Sequence, residues 1–264
     1  MNMLRYRILN TGFFIAEGGT MFGTVPKRAW KKIYEADDEE NCLLAMNCLL
    51  VWSKTRIVLL DTGVGSKDLG KLSYYNFLRM KGITDLIRSQ GFEPEQVTDV
   101  VLSHLHFDHC GACTYSENGH LEITFPKARH WVSKTQWENY MNPNELEIHS
   151  FRQQDMMPVW KYGLVHLVEG DYELFEGFNL SLFDGHTKGQ IVSFIELDNK
   201  EILLFSGDVI PTKANLRDTW ISAYDIEPLK SLDAKKTIKE WTEGERVRYV
   251  FYHDAYEEET LITQ

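Results

Sequence analysis

Positive charge is scarce in this chain: 28 Lys and Arg stand against 39 Asp and Glu, a formal net charge of −11 over 264 residues. Proteins that bind nucleic acid neutralise phosphates with clustered Lys and Arg. Here the basic residues gather only in short pairs such as Lys31-Lys32 and Lys235-Lys236, so nucleic acid is not an expected partner. The same acidity opposes anionic membrane surfaces, and no apolar run is long enough to span a bilayer. The amino terminus, Met1-Asn2-Met3-Leu4-Arg5-Tyr6, lacks the basic-then-apolar pattern of a secretion signal. The four cysteines, Cys42, Cys48, Cys110 and Cys113, are accordingly expected to be free thiols in a reduced, cytoplasmic setting. Low-complexity segments and clear internal repeats are also missing. What remains is ordinary globular composition, 43% hydrophobic and 25% charged, at a length that one α/β or sandwich domain over 1–264 accommodates.

The apolar pattern gives short strands with helices between them. Leu4 to Leu9 alternates as a half-buried strand, and Gly18-Gly19 interrupts the pattern that follows. Cys48 to Trp52 and Arg56 to Leu60 flank a polar turn as a hairpin. Ile83 to Gln90 has helical spacing, and Pro94 opens a short turn. Asp99 to Leu102 and Arg129 to Val132 read as strands, and Ser133 can cap a helix through Tyr140. The segment from Asn142 to Gly163 is irregular, rich in Met and aromatics, and is expected to form a lid or pocket wall. Further strands are expected over Leu180 to Phe183, Ile191 to Leu197, Ile202 to Phe205 and Tyr249 to Tyr252, with a helix from Pro228 to about Thr242. Strands interleaved with helices suggest a layered α/β architecture.

The densest chemistry lies in His104-Leu105-His106-Phe107-Asp108-His109, directly after the strand at Asp99 to Leu102. Imidazole nitrogen and carboxylate oxygen are the ligand set of zinc and similar divalent metals. Burying so many of them without partners would be costly. On an extended segment His104 and His106 can face one centre, and Asp108 and His109, a turn later, another. Three further candidates each follow an apolar strand: His186 in Gly185-His186-Thr187, Asp208 in Gly207-Asp208, and His253.

Taken in order, His-x-His-x-Asp-His, Gly-His-Thr, Gly-Asp and a late His resemble the metallo-β-lactamase superfamily, and Asp61-Thr62-Gly63 resembles its first, non-ligand motif. The resemblance implies an αβ/βα sandwich, two mixed sheets packed face to face with helices outside. It implies that His104, His106 and His186 hold one metal, that Asp108, His109 and His253 hold the second, and that Asp208 bridges them. Asp61 would orient a ligand histidine. Two divalent ions, zinc or else Fe, Mn or Co, would then activate a bridging hydroxide, with Asp108 and Asp208 at the catalytic step. Gly18 to Lys27, Trp30 and Ser222-Ala223-Tyr224-Asp225 with Pro228 are similar to the branch of quorum-quenching N-acyl-homoserine lactonases and methyl-parathion-hydrolase-like enzymes. That branch implies a lactone or ester substrate, with organophosphate triesters as a side activity. Some of its lactonases carry a Tyr three residues after the bridging Asp. Here that position is Pro211, and Tyr224 is the candidate substitute.

Met21, Phe22, Met157, Trp160, Trp220 and Tyr224 are candidates for an apolar substrate pocket. Cys110-Gly111-Ala112-Cys113 is read as inert packing beneath the metal loop rather than as a redox pair. His120, His130, His149 and His166 are read as surface or structural. Aromatics around Trp30, taken as exposed, suggest a homodimer. A glyoxalase II-like thioester hydrolase is the alternative within the class; it would need basic residues for a glutathione carboxylate. A di-iron redox protein is the alternative outside it; such proteins append a flavin domain, for which the chain leaves no room after His253.

Overall fold

The computed structural model describes residues 4–67 and 69–263; of the amino-terminal stretch read above, Met1 to Met3 lie outside them. The first sheet runs β1 (Arg5–Glu17), β2 (Asn41–Trp52), β3 (Ile57–Leu60) and β4 (Asp99–Val101). A small hairpin, β5 (Thr114–Glu117) with β6 (His120–Ile123), precedes its last strands, β7 (Arg129–Ser133) and β8 (Val165–Val168). The second sheet comprises β9 (Tyr172–Phe175), β10 (Phe178–Phe183), β11 (Gln190–Glu196), β12 (Glu201–Phe205), β13 (Arg246–Val250) and β14 (Glu259–Thr263). Both sheets are mixed. In the first, β1-β2-β3 pair antiparallel and β3-β4-β7-β8 parallel. In the second, β12 and β13 pair parallel within an otherwise antiparallel order.

The two-residue period of a strand decides which sheet face meets which layer. Ile191, Ile195, Leu203, Phe205 and Val250 join the central core with Leu44, Leu59 and Val101 of the first sheet. Their neighbours Val192, Leu204, Val247 and Tyr249 point the other way, where Ala234 and Ile238 of a helix over Pro228–Trp241 cover them. Parallel strands buried on both faces carry no polar alternation, as in the wholly buried Asp99–Val101. This is the expected αβ/βα sandwich.

The helices are α1 (Gly18–Phe22), α2 (Lys27–Trp30), α3 (Ile83–Ser89), α4 (Phe107–Cys110), α5 (Lys134–Met141), α6 (Gln153–Lys161) and α7 (Pro228–Trp241). The expected cap is present: Ser133 Oγ accepts from Gln136 N at 2.9 Å. Two expectations are corrected. The irregular stretch 142–163 is a loop only to about residue 152, after which α6 begins. Pro158 lies inside α6 because the carbonyl it cannot serve, that of Gln154, accepts from Thr114 Oγ1 at 2.8 Å instead. Trp30 is only 2% exposed and stacks on Phe22 with ring centroids 5.3 Å apart, so it is not the exposed aromatic expected at that position. No helix among the described residues is long and apolar enough to cross a membrane.

Candidate metal centre

All seven candidate ligands lie just beyond strand ends on one edge of the sandwich. β4 leads to His104, His106, Asp108 and His109, and the chain then turns into α4. His186 follows β10, Asp208 follows β12, and His253 follows β13. Two glycines make the tight approaches. Gly185 has φ 141°, and a Cβ there would meet the Ser231 backbone of α7; Gly207 has φ 49°, and a Cβ there would press on Ser103 and Gln190.

The side chains converge in two groups with one shared member. His106 Nδ1 lies 3.0 Å from His104 Nε2 and 3.2 Å from His186 Nε2. Asp108 Oδ2 lies 3.6 Å from His109 Nε2 and 3.5 Å from His253 Nε2. Asp208 stands between, with Oδ2 3.4 Å from His186 Nε2 and Oδ1 3.4 and 3.3 Å from His109 and His253 Nε2. His104, His106 and His186, and Asp108, His109 and His253, each bring their ligand atoms within 4.8 Å of one another.

The hydrogen bonds on the outer side of each ring set its tautomer. His109 Nδ1 meets Asp61 Oδ2 at 2.7 Å, and His186 Nδ1 meets Asp225 Oδ1 at 3.0 Å. His253 Nδ1 meets the Ala45 carbonyl at 2.8 Å. His106 is turned around, with Nε2 on Glu147 Oε1 at 3.3 Å. His104 Nδ1 lies 3.1 Å from Ser103 Oγ, whose proton goes to Asp61 Oδ2 at 2.7 Å, so that oxygen accepts from His104. Every outer partner is an acceptor, so each outer nitrogen carries the proton and each inner nitrogen presents a lone pair. Tyr252 closes the floor: its ring stacks on His109 at 3.9 Å, and its hydroxyl donates to the Asp108 carbonyl at 2.5 Å.

Five lone pairs and two carboxylates facing one another fit cations. His109 Nε2 and Asp208 Oδ1 are buried without a hydrogen-bond partner. Burial, reinforced by the neighbouring imidazoles, pulls the His104 pKa well below its ordinary value. Burial opposes protonation of His109 and His186 too, but Asp208 and the carboxylates beside each ring outweigh it and raise both. His253, His109 and His186 overcome burial at Asp208 and hold its carboxyl well below the usual range. The field is one that attracts positive charge, and N/O donors of this kind suit zinc and its neighbours.

Glu147, Asp225, Ser103 and Tyr252 were not singled out as functional by sequence reasoning. Asp225 lies inside Ser222-Ala223-Tyr224-Asp225 but carries no ligand signature of its own. Glu147 is 41 residues from its partner. Burial works against ionisation of Glu147, yet its bonds from His106, Thr187 and Asn139 bring the pKa down to about 2. The four remaining histidines stay clear of the centre. Among them His130 is fully buried, bonded through Nδ1 to the Ala128 carbonyl at 3.1 Å.

A cleft of about 190 Å³ opens onto His106, Asp108, His186, Asp208 and His253. Met21, Tyr224 and Pro211 line it. Phe22, Met157, Trp160 and Trp220 do not, which corrects those four. Phe22 is wholly buried between Trp30 and Trp220, because one step along a short helix turns a side chain away from its neighbour's face. Met157 packs against the core, and Trp160 stacks on Trp137 at 4.6 Å on the outside of α5 and α6. The cleft takes its apolar walls instead from residues such as Phe14, Leu44, Phe77, Phe107, Leu146 and Ile226.

The metallo-beta-lactamase superfamily model matches residues 44–259. An N-acyl homoserine lactonase of Bacillus thuringiensis is 26% identical over 224 residues, covering 81% of this chain and 82% of its own. A probable metal-dependent hydrolase from Staphylococcus aureus superposes with a TM-score of 0.88 at 24% identity, over 100% of this chain and 99% of the other. The dizinc quorum-quenching lactonase AidC, in complex with the product N-hexanoyl-L-homoserine, superposes with a TM-score of 0.77 at 22% identity, over 100% of this chain and 92% of the other.

Proposed function

As a member of the metallo-beta-lactamase superfamily, to which the match over residues 44–259 assigns it, the chain is a hydrolase, and we propose that it opens an uncharged lactone or ester with an apolar tail at a centre of two divalent cations. The lining of the cleft carries this reading. Among the described residues it presents apolar walls and the carboxylates Asp108, Glu147, Asp208 and Asp225, and no Lys or Arg. A carboxylate or phosphate on the substrate would be desolvated there with no cationic side chain to receive it, at a cost of several kcal/mol. A glutathione thioester and a β-lactam both carry such a group; a lactone, a simple ester and a phosphotriester do not. The lactonases among the relatives support the same class.

His104, His106 and His186 would hold one cation, Asp108, His109 and His253 the other, and Asp208 both. Zinc is the metal that the dizinc neighbour favours. When bound, such a pair supplies Lewis acidity and an acidified water as nucleophile. The chain does the rest. The apolar walls seat the tail and exclude bulk water. Asp108 faces both cleft and centre, so it can accept the proton shed on attack and return it to the leaving alkoxide. Pro211 offers no hydroxyl. Tyr75 and Tyr224 bring phenols to the cleft, and burial together with Asp108 raises both pKa values, Tyr75 to about 12. Both phenols therefore stay protonated at neutral pH, as hydrogen-bond donors to the substrate's oxygens.

The test is a turnover panel on zinc-loaded and chelator-stripped protein: a medium-chain N-acyl homoserine lactone, an aryl ester, a phosphotriester, a glutathione thioester and a β-lactam. The expected result is lactone or ester turnover that needs metal, with the two anionic substrates at least 100-fold slower in kcat/KM. Faster turnover of either anionic substrate would overturn the reading.

A further inference from the structure

We propose that Glu147 acts through His106 as the counter-charge for the cation held by His104, His106 and His186, and so decides how firmly that half of the centre is loaded. The inference rests on the two-cation reading above.

By ligands alone the two halves are unequal. Asp108, His109 and His253 include a carboxylate, whereas His104, His106 and His186 are three neutral rings, and Asp208 is shared. One layer further out the balance returns. Asp61 stands on His109 at 2.7 Å. Asp225 stands on His186 at 3.0 Å and Glu147 on His106 at 3.3 Å. Each half then has two carboxylates of its own. Asp225 also lies in the field of the buried Lys235, whose ammonium it favours against the effect of burial.

Glu147 has no such partner. It is 2% exposed, and the groups around it are neutral: Asn139 Nδ2 donates at 3.0 Å, Asn144 Nδ2 at 2.5 Å, and Thr187 Oγ1 donates as well. No Lys or Arg among the described residues forms an ion pair with it. Neutral donors orient a buried carboxylate, yet the cost of burying its charge calls for a nearby cation. The place for one is across the His106 ring, where Nδ1 faces the centre while Nε2 is held by the carboxylate. A carboxylate on the far nitrogen also makes an imidazole a stronger ligand.

The experiment measures bound zinc by elemental analysis after the full chain is equilibrated in a series of zinc buffers. Glu147→Gln keeps the volume and a hydrogen-bond acceptor and removes the charge. The wild type is expected to take up two ions. Glu147→Gln is expected to keep one at wild-type affinity and bind the other about 10–100-fold more weakly. Glu147→Asp, which restores charge on a shorter arm, is expected to fall between them. Two ions bound by Glu147→Gln at wild-type affinity would overturn the inference, as would equal weakening of both ions together with a lower melting temperature of the metal-free protein. A wild type that binds fewer than two ions would overturn the two-cation reading itself.

Discussion

Asp61→Asn should loosen both halves of the centre at once. Asp61 is fully buried and accepts from Ser103 N, Ser103 Oγ and His109 Nδ1, each at 2.7 Å. Its φ is 55°, a left-handed conformation that Asn tolerates as well as Asp, so the backbone is not the perturbed variable. An amide must place its NH2 on one side. Facing Ser103 N it meets a donor; facing Ser103 Oγ and His109 it meets two. At least one buried donor is left unpaired, costing about 1–3 kcal/mol, and the surviving bonds lose their charge assistance at about 1 kcal/mol each. The sum, about 3–5 kcal/mol with the NH2 toward Ser103 N and more with it toward Ser103 Oγ and His109, is a large share of the stability of a typical domain. With the NH2 toward Ser103 Oγ and His109, the tautomers change as well. A Ser103 hydroxyl that no longer donates to Asp61 is free to donate to His104 Nδ1, which moves that ring's proton to Nε2 and removes a lone pair from the first half. His109 loses its acceptor in the second. Urea unfolding of the metal-free protein should give the stability loss, and zinc titration should show both ions weakened about 10–100-fold. A variant that stays within about 0.5 kcal/mol of wild type and keeps both ions would refute the assigned hydrogen-bond directions.

Burial lowers the His130 pKa to about 4, against 6.5 in the unfolded chain. Because the folded value is depressed, His130 stabilises nothing extra above pH 6.5. Below it the unfolded chain takes up a proton that the fold refuses, until the folded pKa is reached. Between pH 7 and 5 the loss is ~2 kcal/mol at 1.36 kcal/mol per pKa unit. His130→Asn keeps a donor toward the Ala128 carbonyl and should flatten that part of the acid limb in urea melts; an unchanged slope would exclude His130 as its source. The four thiols are free and buried. Burial raises Cys42 and Cys113 to about 12, and Cys48 and Cys110 well above the ordinary value. All four should resist an aromatic disulfide reagent in the native state and react on unfolding; fast native labelling of Cys110 or Cys113 would contradict their reading as inert packing.

The candidate ligand cluster was legible because its geometry is local. His104 to His109 are contiguous, and His186, Asp208 and His253 each announce themselves by following an apolar strand, whose end fixes where the next residues point. The sheets were legible for the same reason, since a period of two assigns faces without knowledge of the partner layer. Pocket residues have no such marker. Met21 and Phe22 are adjacent, equally apolar and both buried, yet only Met21 borders the cleft, a difference set by where α1 docks and by nothing in their spacing. Pro158 hid α6, because the compensation that admits it, Thr114 on the Gln154 carbonyl, comes from 40 residues away. Glu147 was invisible on the same grounds: a carboxylate in a polar loop becomes a partner of His106 only when β7, α5 and the metal loop are brought together.

The shortage of positive charge over the whole chain recurs at its centre. Carboxylates there stand directly among the rings, as Asp108 and Asp208, and behind them, as Asp61, Asp225 and Glu147. Among the described residues, the cleft above adds walls without Lys or Arg. On the proposed reading, bound cations would be the only strong positive charge that the described residues leave for a substrate to meet, and they would both activate the nucleophile and polarise the carbonyl. An anionic substrate group would compete for those same ions, with no second cation to draw it aside into a position that leaves the carbonyl free. A neutral carbonyl with an apolar tail has no such conflict: its tail is held by the walls, and its one strongly polar group is the one to be attacked. Under the proposed function, substrate charge, more than substrate size, is what this cleft would select, and an arginine introduced at Leu146, on the exposed rim, should relax that selection toward carboxylate-bearing esters.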